Sequence, residues 1–195
     1  AKMNVETISS LFETHDILQV VAVIFVINIS ITILEMLIDI LTSKSRRWKD
    51  SVANVAIFFL GQLIDRTFFG TIGLICLMPF YYLTPIEIPM NVWTWALGIL
   101  LADFTYYWMH RIEHEHRILW ANHSVHHSSK DYNLTVAMRV SIIESAIEWI
   151  FLVPMVLIGF NPFQTIMCML LVAQYQTWIH TDRIVRLGWL DEIFN

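Results

Sequence analysis

Met90-Asn-Val-Trp-Thr-Trp-Ala-Leu-Gly-Ile-Leu-Leu-Ala-Asp103-Phe-Thr-Tyr-Tyr-Trp-Met-His110-Arg-Ile-Glu-His114 runs without a break from apolar to metal-ligand chemistry. Residues 90–109 are long enough, at 1.5 Å per helical residue, to cross about 30 Å of hydrocarbon. Trp93, Trp95, Tyr106, Tyr107 and Trp108 sit near the two ends of that segment, the distribution of an aromatic belt. The helix then delivers His110 and His114, four residues apart and so on one face. Neutral imidazole is the commonest metal ligand among side chains. A metal site fastened to the end of a membrane span is the reading that decides the fold.

The surrounding chain has the same character. Of its 195 residues, 56% are hydrophobic and 15% charged, whereas soluble domains run nearer a quarter charged. Mean hydropathy is +0.58. Further apolar stretches run over Ile17–Leu41, Val52–Leu83, Ile142–Phe160 and Pro162–His180. The last two read as a helical hairpin turning at Gly159-Phe-Asn-Pro162. Glu35 and Asp39, one turn apart, face the interface or a polar interior. Asp65 and Arg66 interrupt the second stretch, which reads as one tilted, irregular helix or as an interfacial piece followed by a span. The expected fold is all-α, a multi-pass transmembrane helical bundle.

Basic residues orient it. With these spans, one side of the bilayer receives Lys44, Arg46, Arg47, Lys49, Arg111, Arg117, Lys130, Arg139, Arg183 and Arg186, and the other only Lys2. That asymmetry puts the histidine segment and His180 in the cytoplasm. The net charge of −5, with no basic stripe, excludes a nucleic-acid partner. Cys76 and Cys168 are isolated in apolar segments, so neither a disulfide framework nor a thiolate zinc site is expected. Residues 1–16 are polar and acidic and lack the basic start of a secretory signal.

His123, His126 and His127 repeat the i, i+3, i+4 logic, and His180 ends the last apolar stretch on the same side. Asp103 lies on the stripe of His110 and His114 and could take up a ring N–H. His15 and His116 read as structural or solvated. His110-Arg-Ile-Glu113-His114 also fits H-x-x-E-H, in which Glu113 would activate water on zinc. That alternative leaves His-x-x-His-His unexplained. Four nitrogens suffice for zinc, five or six suggest two metals, and a thiolate-free set suits iron as well as zinc. A non-catalytic metal-binding or transport protein is a third reading, although transporters place their ligands at mid-membrane.

Asp103 through His114, followed by Leu119-Trp-Ala-Asn-His123-Ser-Val-His126-His127-Ser-Ser-Lys-Asp-Tyr-Asn133 and Trp178-Ile-His180-Thr, resembles the fatty acid hydroxylase/sterol desaturase superfamily. The stretch from His126 to Asn133 looks most like its alkylglycerol monooxygenase branch. The resemblance covers residues 45–195 of a single membrane domain, with 1–44 as an amino-terminal span and flank. It implies a di-iron oxygenase with His110, His114, His123, His126, His127 and His180 as iron ligands. Asp103, Glu113 and Asn133 would support those ligands. It further implies a membrane lipid substrate, O2, and an electron-donor protein or reduced cofactor, a pterin among the candidates. The family's third His-x-x-His-His box has no counterpart before Asn195, so the sequence is expected to be a fragment. Residues 1–195 alone should therefore hold fewer than two irons, which metal analysis of the purified chain checks; two tightly held irons per chain, with activity, would overturn it.

Overall fold

The computed structural model describes residues 14–42, 47–184 and 186–190. Among them the ordered elements are helical: α1 (Thr14–Leu41), α2 (Arg47–Ile64), α3 (Gly70–Leu83), α4 (Val92–Glu115), α5 (Arg117–His123), α6 (Ser145–Leu157) and α7 (Pro162–Tyr175). Short 3-10 turns cover His126–Ser128, Leu134–Met138 and Gln176–Ile179. α3 packs along α6, and α4 along α7.

α1 is apolar on nearly every side, as expected where the solvent is hydrocarbon. Val23, Val26, Ile33 and Leu34 are exposed, whereas Thr32, Glu35 and Asp39 are buried. A soluble helix shows the reverse. Glu35 and Asp39 thus face a polar interior, one of the two settings the sequence allows. Among the described residues, Asp16–Leu41 is the one helix long and apolar enough to cross a membrane by itself.

The stretch over Val52–Leu83 is the irregular helix. α2 runs into a π-helical turn at Asp65–Phe69 and then into α3. Asp65 is buried and accepts hydrogen bonds from the Ser145 amide at 2.8 Å and the Ser145 hydroxyl at 2.7 Å. The carboxylate that interrupts the apolar run is therefore spent on the start of α6. This shortens the carboxy-terminal hairpin relative to expectation. α6 and α7 have 13 and 14 residues, about 20 Å each. Residues 141–144 are used in the turn that meets Asp65, and 176–179 tighten into the 3-10 turn before His180.

Capping sets the remaining boundaries. The Asn91 side chain accepts from the Trp93 and Thr94 amides, while the Thr94 hydroxyl accepts from the Asn91 amide, which starts α4. Asn161 caps α7 ahead of Pro162. Gly98 lets α4 and α7 approach closely, since a Cβ there would lie 2.9 Å from Cys168 Sγ. Cys168 is buried and free, the packing role expected of it.

The hairpin turn sits on Gly159, at φ +107°. Its carbonyl accepts from the Ile88 amide at 3.0 Å, which docks the turn on the 84–91 loop. A Cβ there would meet the Ile86 carbonyl oxygen at 2.8 Å. Gly159→Ala should therefore destabilise the fold by about 1–3 kcal/mol, seen as a lower thermal midpoint in detergent.

Candidate metal centre

Six histidines converge at the end of α4. His110 and His114 stand one turn apart, with their Nε2 atoms 3.0 Å from each other. α5 turns the chain back and ends on His123, and the next turn carries His126 and His127. His123 and His127 bring Nε2 atoms to 3.2 Å. One ligand atom from each of His110, His114, His123 and His127 lies within 4.8 Å of the others. His126 turns the other way and meets His180, Nε2 to Nε2 at 3.1 Å.

The outer ring nitrogens explain these orientations. His123 Nδ1 lies 3.1 Å from a Glu113 carboxylate oxygen, His126 Nδ1 3.3 Å from the Arg139 carbonyl, and His180 Nδ1 2.8 Å from the Gln176 carbonyl. A carbonyl only accepts, so Nδ1 of His126 and His180 must carry the hydrogen. In the neutral rings both Nε2 atoms then present lone pairs, and these point at each other across 3.1 Å. Such a contact is repulsive unless a cation lies between or beside the rings. Two nitrogens bound to one metal at about 2.1 Å sit about 3.0 Å apart on an octahedral edge and about 3.4 Å on a tetrahedral one. The three Nε2 pairs fall in that range, and the nitrogen-rich set fits iron as well as zinc.

A proton is the weaker cation here. Burial, with His180, His123 and His127 beside it, pushes the His126 pKa down to about 3. His127 and His114 are also lowered, by burial and the nearby His123. The lowered values favour neutral rings at His110, His114, His126, His127 and His180, the state in which imidazole ligates.

The second histidine segment is held by α2. Asp50 accepts from the Ser129 hydroxyl at 2.5 Å, the Lys130 amide at 3.1 Å and the Asp131 amide at 3.3 Å. Burial opposes its ionisation, but these donors and Arg139 hold its carboxyl below the usual range. Arg139 spans the segment, donating to Val125 O at 3.1 Å, Ser128 Oγ at 2.8 Å and Asn54 Oδ1 at 2.7 Å. Asn133 caps the Leu134–Met138 turn and donates to Ser51 at 3.2 Å. These partners lie about 80 residues away in sequence, so spacing could not reveal Asp50, Ser51 or Asn54.

The supporting candidates part company. Glu113 is buried against His123, and Asn133 orders the turn after the second group. Asp103 does not do what its stripe suggests. Two helical turns from His110, about 10 Å along the axis, it is exposed, and no described hydrogen bond ties it to a ring. It lines instead a groove of about 730 Å³ with Ile99, Leu100, Leu171, Val172 and Tyr175. That groove shares Tyr106, His110 and Gln176 with a cavity of about 280 Å³ that His126, His127 and His180 line. Glu144 and Glu148 line a smaller cavity that also touches Glu113 and His123. His116 is exposed, as expected. The His15 side chain and the Arg66 side chain lie outside what the structure describes.

The family model of fatty acid hydroxylases matches residues 95–195. The chain is 46% identical over 111 residues to an alkylglycerol monooxygenase of Xenopus tropicalis, covering 56% of this chain and 25% of that protein. It is 45% identical over 103 residues to the Homo sapiens alkylglycerol monooxygenase, covering 53% and 23%, and 43% identical over 111 residues to that of Danio rerio. The chain thus spans about a quarter of the length of these relatives. No solved structure matches it.

The histidine pKa values set a pH dependence for the metal-free chain. His126 has its ordinary value of 6.5 when unfolded and about 3 when folded. The unfolded chain therefore takes up the proton first as pH falls. Stability is fully present above about pH 6.5 and is lost progressively toward pH 3. Melting in detergent with chelator should give a lower midpoint near pH 5 than near pH 7.5; equal midpoints would contradict the neutral, buried assignment of His126.

Proposed function

Because the chain belongs to the fatty acid hydroxylase family, we propose that it carries much of the metal centre of a membrane di-iron monooxygenase acting on a lipid C–H bond. His110, His114, His123, His126, His127 and His180 would be metal ligands. Iron held there would supply the redox chemistry that divides O2 between a lipid C–H bond and water, with two electrons and two protons from an external reductant. An electron-donor protein or a reduced pterin fits that role. The relatives' name makes an alkylglycerol the first substrate to try.

One observation carries this reading. The Nε2 lone pairs of His126 and His180 face each other while both outer nitrogens are committed to carbonyls. Three features of the chain then support a lipid substrate. The groove beside α4 is mostly apolar and shares Tyr106, His110 and Gln176 with the lining of the cavity at the histidines. The outer face of α1 is apolar, as a bilayer requires. The excess of basic residues on the histidine side favours a cytoplasmic site in a multi-pass bundle.

The residues divide the work. Glu113 fixes the tautomer of His123, and the Arg139 and Gln176 carbonyls do the same for His126 and His180. Tyr106, between groove and cavity, bounds the path of a hydrocarbon chain toward the rings. The zinc-hydrolase reading is disfavoured, because the Glu113 carboxylate that would activate water is buried against His123. A transport role is disfavoured because the rings stand at the end of α4.

Paired substitutions test the assignment. His126→Ala should abolish alkylglycerol oxidation in membranes containing the intact protein and lower the bound iron. Glu113→Gln should weaken metal binding about 10–100-fold yet leave activity recoverable with added iron. Activity that survives His126→Ala, or is lost in Glu113→Gln at full iron occupancy, would point to the hydrolase chemistry instead.

A further inference from the structure

We infer that Glu35 of the first helix is a positioning residue for the His126–His180 pair, an assignment that rests on the metal-centre reading above. Its carboxylate joins the two chain segments that carry these rings. One oxygen accepts from the Leu134 amide at 2.6 Å. The other accepts from the Thr181 hydroxyl at 2.5 Å and lies 3.3 Å from Arg183 Nε. Asp39, one turn further along α1, binds the Arg183 guanidinium as well.

Both connections lead directly to the rings. Thr181 follows His180 in the chain. Leu134 opens the 3-10 turn Leu134–Met138, and the next residue, Arg139, supplies the carbonyl that holds His126 Nδ1. A single carboxylate thus sets the distance between a segment ending at His180 and a segment anchoring His126. Those rings come together from 54 positions apart, with no shared helix to align them.

The burial of these groups argues against a simple anchoring helix. Glu35 is 5% exposed, Asp39 2% and Thr181 7%. A helix that merely held the protein in a bilayer would carry no buried carboxylates, because desolvating them is costly unless the protein supplies partners. Thr32, Glu35 and Asp39 line the one face of α1 that turns inward at this end. This helix also lies outside residues 95–195, the part that matches the family model. The clamp therefore assigns α1 a part in the metal centre that its apolar sequence does not suggest.

Cobalt(II) titration of the whole 195-residue chain in detergent, with amide exchange in parallel, tests the assignment. Thr181→Val removes the hydroxyl that donates to Glu35 and accepts from the Arg183 amide at 3.2 Å, and leaves the Arg183 guanidinium with its carboxylates; Glu35→Gln keeps the shape and removes the charge. Both should bind cobalt about 10-fold more weakly, with a changed ligand-field spectrum, and should exchange faster at Leu134 and across 180–183. His180→Ala marks which spectral component belongs to the pair. Gly159→Ala, far from the rings, reports global destabilisation and should keep the wild-type cobalt affinity. Wild-type cobalt affinity and spectrum in folded Thr181→Val and Glu35→Gln would overturn the proposal, and if Glu35→Gln fails to fold, Thr181→Val decides alone. Absence of any histidine–cobalt spectrum in the unsubstituted chain would instead overturn the metal reading. The clamp itself is then judged by exchange, upheld if the variants open the two segments and refuted if they do not.

Discussion

Imidazole nitrogens that face one another across about 3 Å, with their outer nitrogens already donating, constrain everything around them. Lone pairs of like sign repel, so the arrangement persists only where a cation is expected and the scaffold holds the rings in place beforehand. The scaffold does so at the outer nitrogen of three rings. His123 rests on Glu113, His126 on the Arg139 carbonyl and His180 on the Gln176 carbonyl. Such preorganisation would remove part of the ordering cost of binding a metal in the proposed centre, and it accounts for the polar groups buried beside these rings.

The polar interior has a counterpart in the apolar exterior. α1 shows hydrocarbon-like residues outward and carboxylates inward, and α2 presents Asp50, Ser51 and Asn54 to the second histidine segment. In a low-dielectric surround each of these groups must be satisfied within the protein. Hydrogen bonds therefore do the long-range work that apolar packing does in a soluble core. Asp65 shows the same logic away from the histidines, where a carboxylate inside an apolar run becomes the anchor for the next helix through Ser145.

Much of this was legible in the sequence because it is local. Helical spacing alone placed His110 with His114 and His123 with His127. Spacing misled at Asp103, because a shared stripe says nothing about distance along it, and two turns exceed the reach of a carboxylate to a ring. It also overstated the last two spans, since Ile142, Ile143, Trp178 and Ile179 extend the apolar runs yet lie in turns among polar neighbours. The pairing of His126 with His180 rather than with its neighbours was invisible, as were Glu35, Asp39, Asp50 and Arg183 as supports. Each of those contacts joins segments distant in sequence.

By itself, then, the sequence determined the helical class, the apolar exterior and the two histidine-rich segments, because periodicity and side-chain chemistry are written residue by residue. The tertiary structure decided which rings face each other, which nitrogen each presents, and which carboxylates orient rings and which line a groove. Those outcomes depend on distances and hydrogen-bond directions between segments, and chain closure sets them only when α1, α2 and the hairpin are packed around the end of α4.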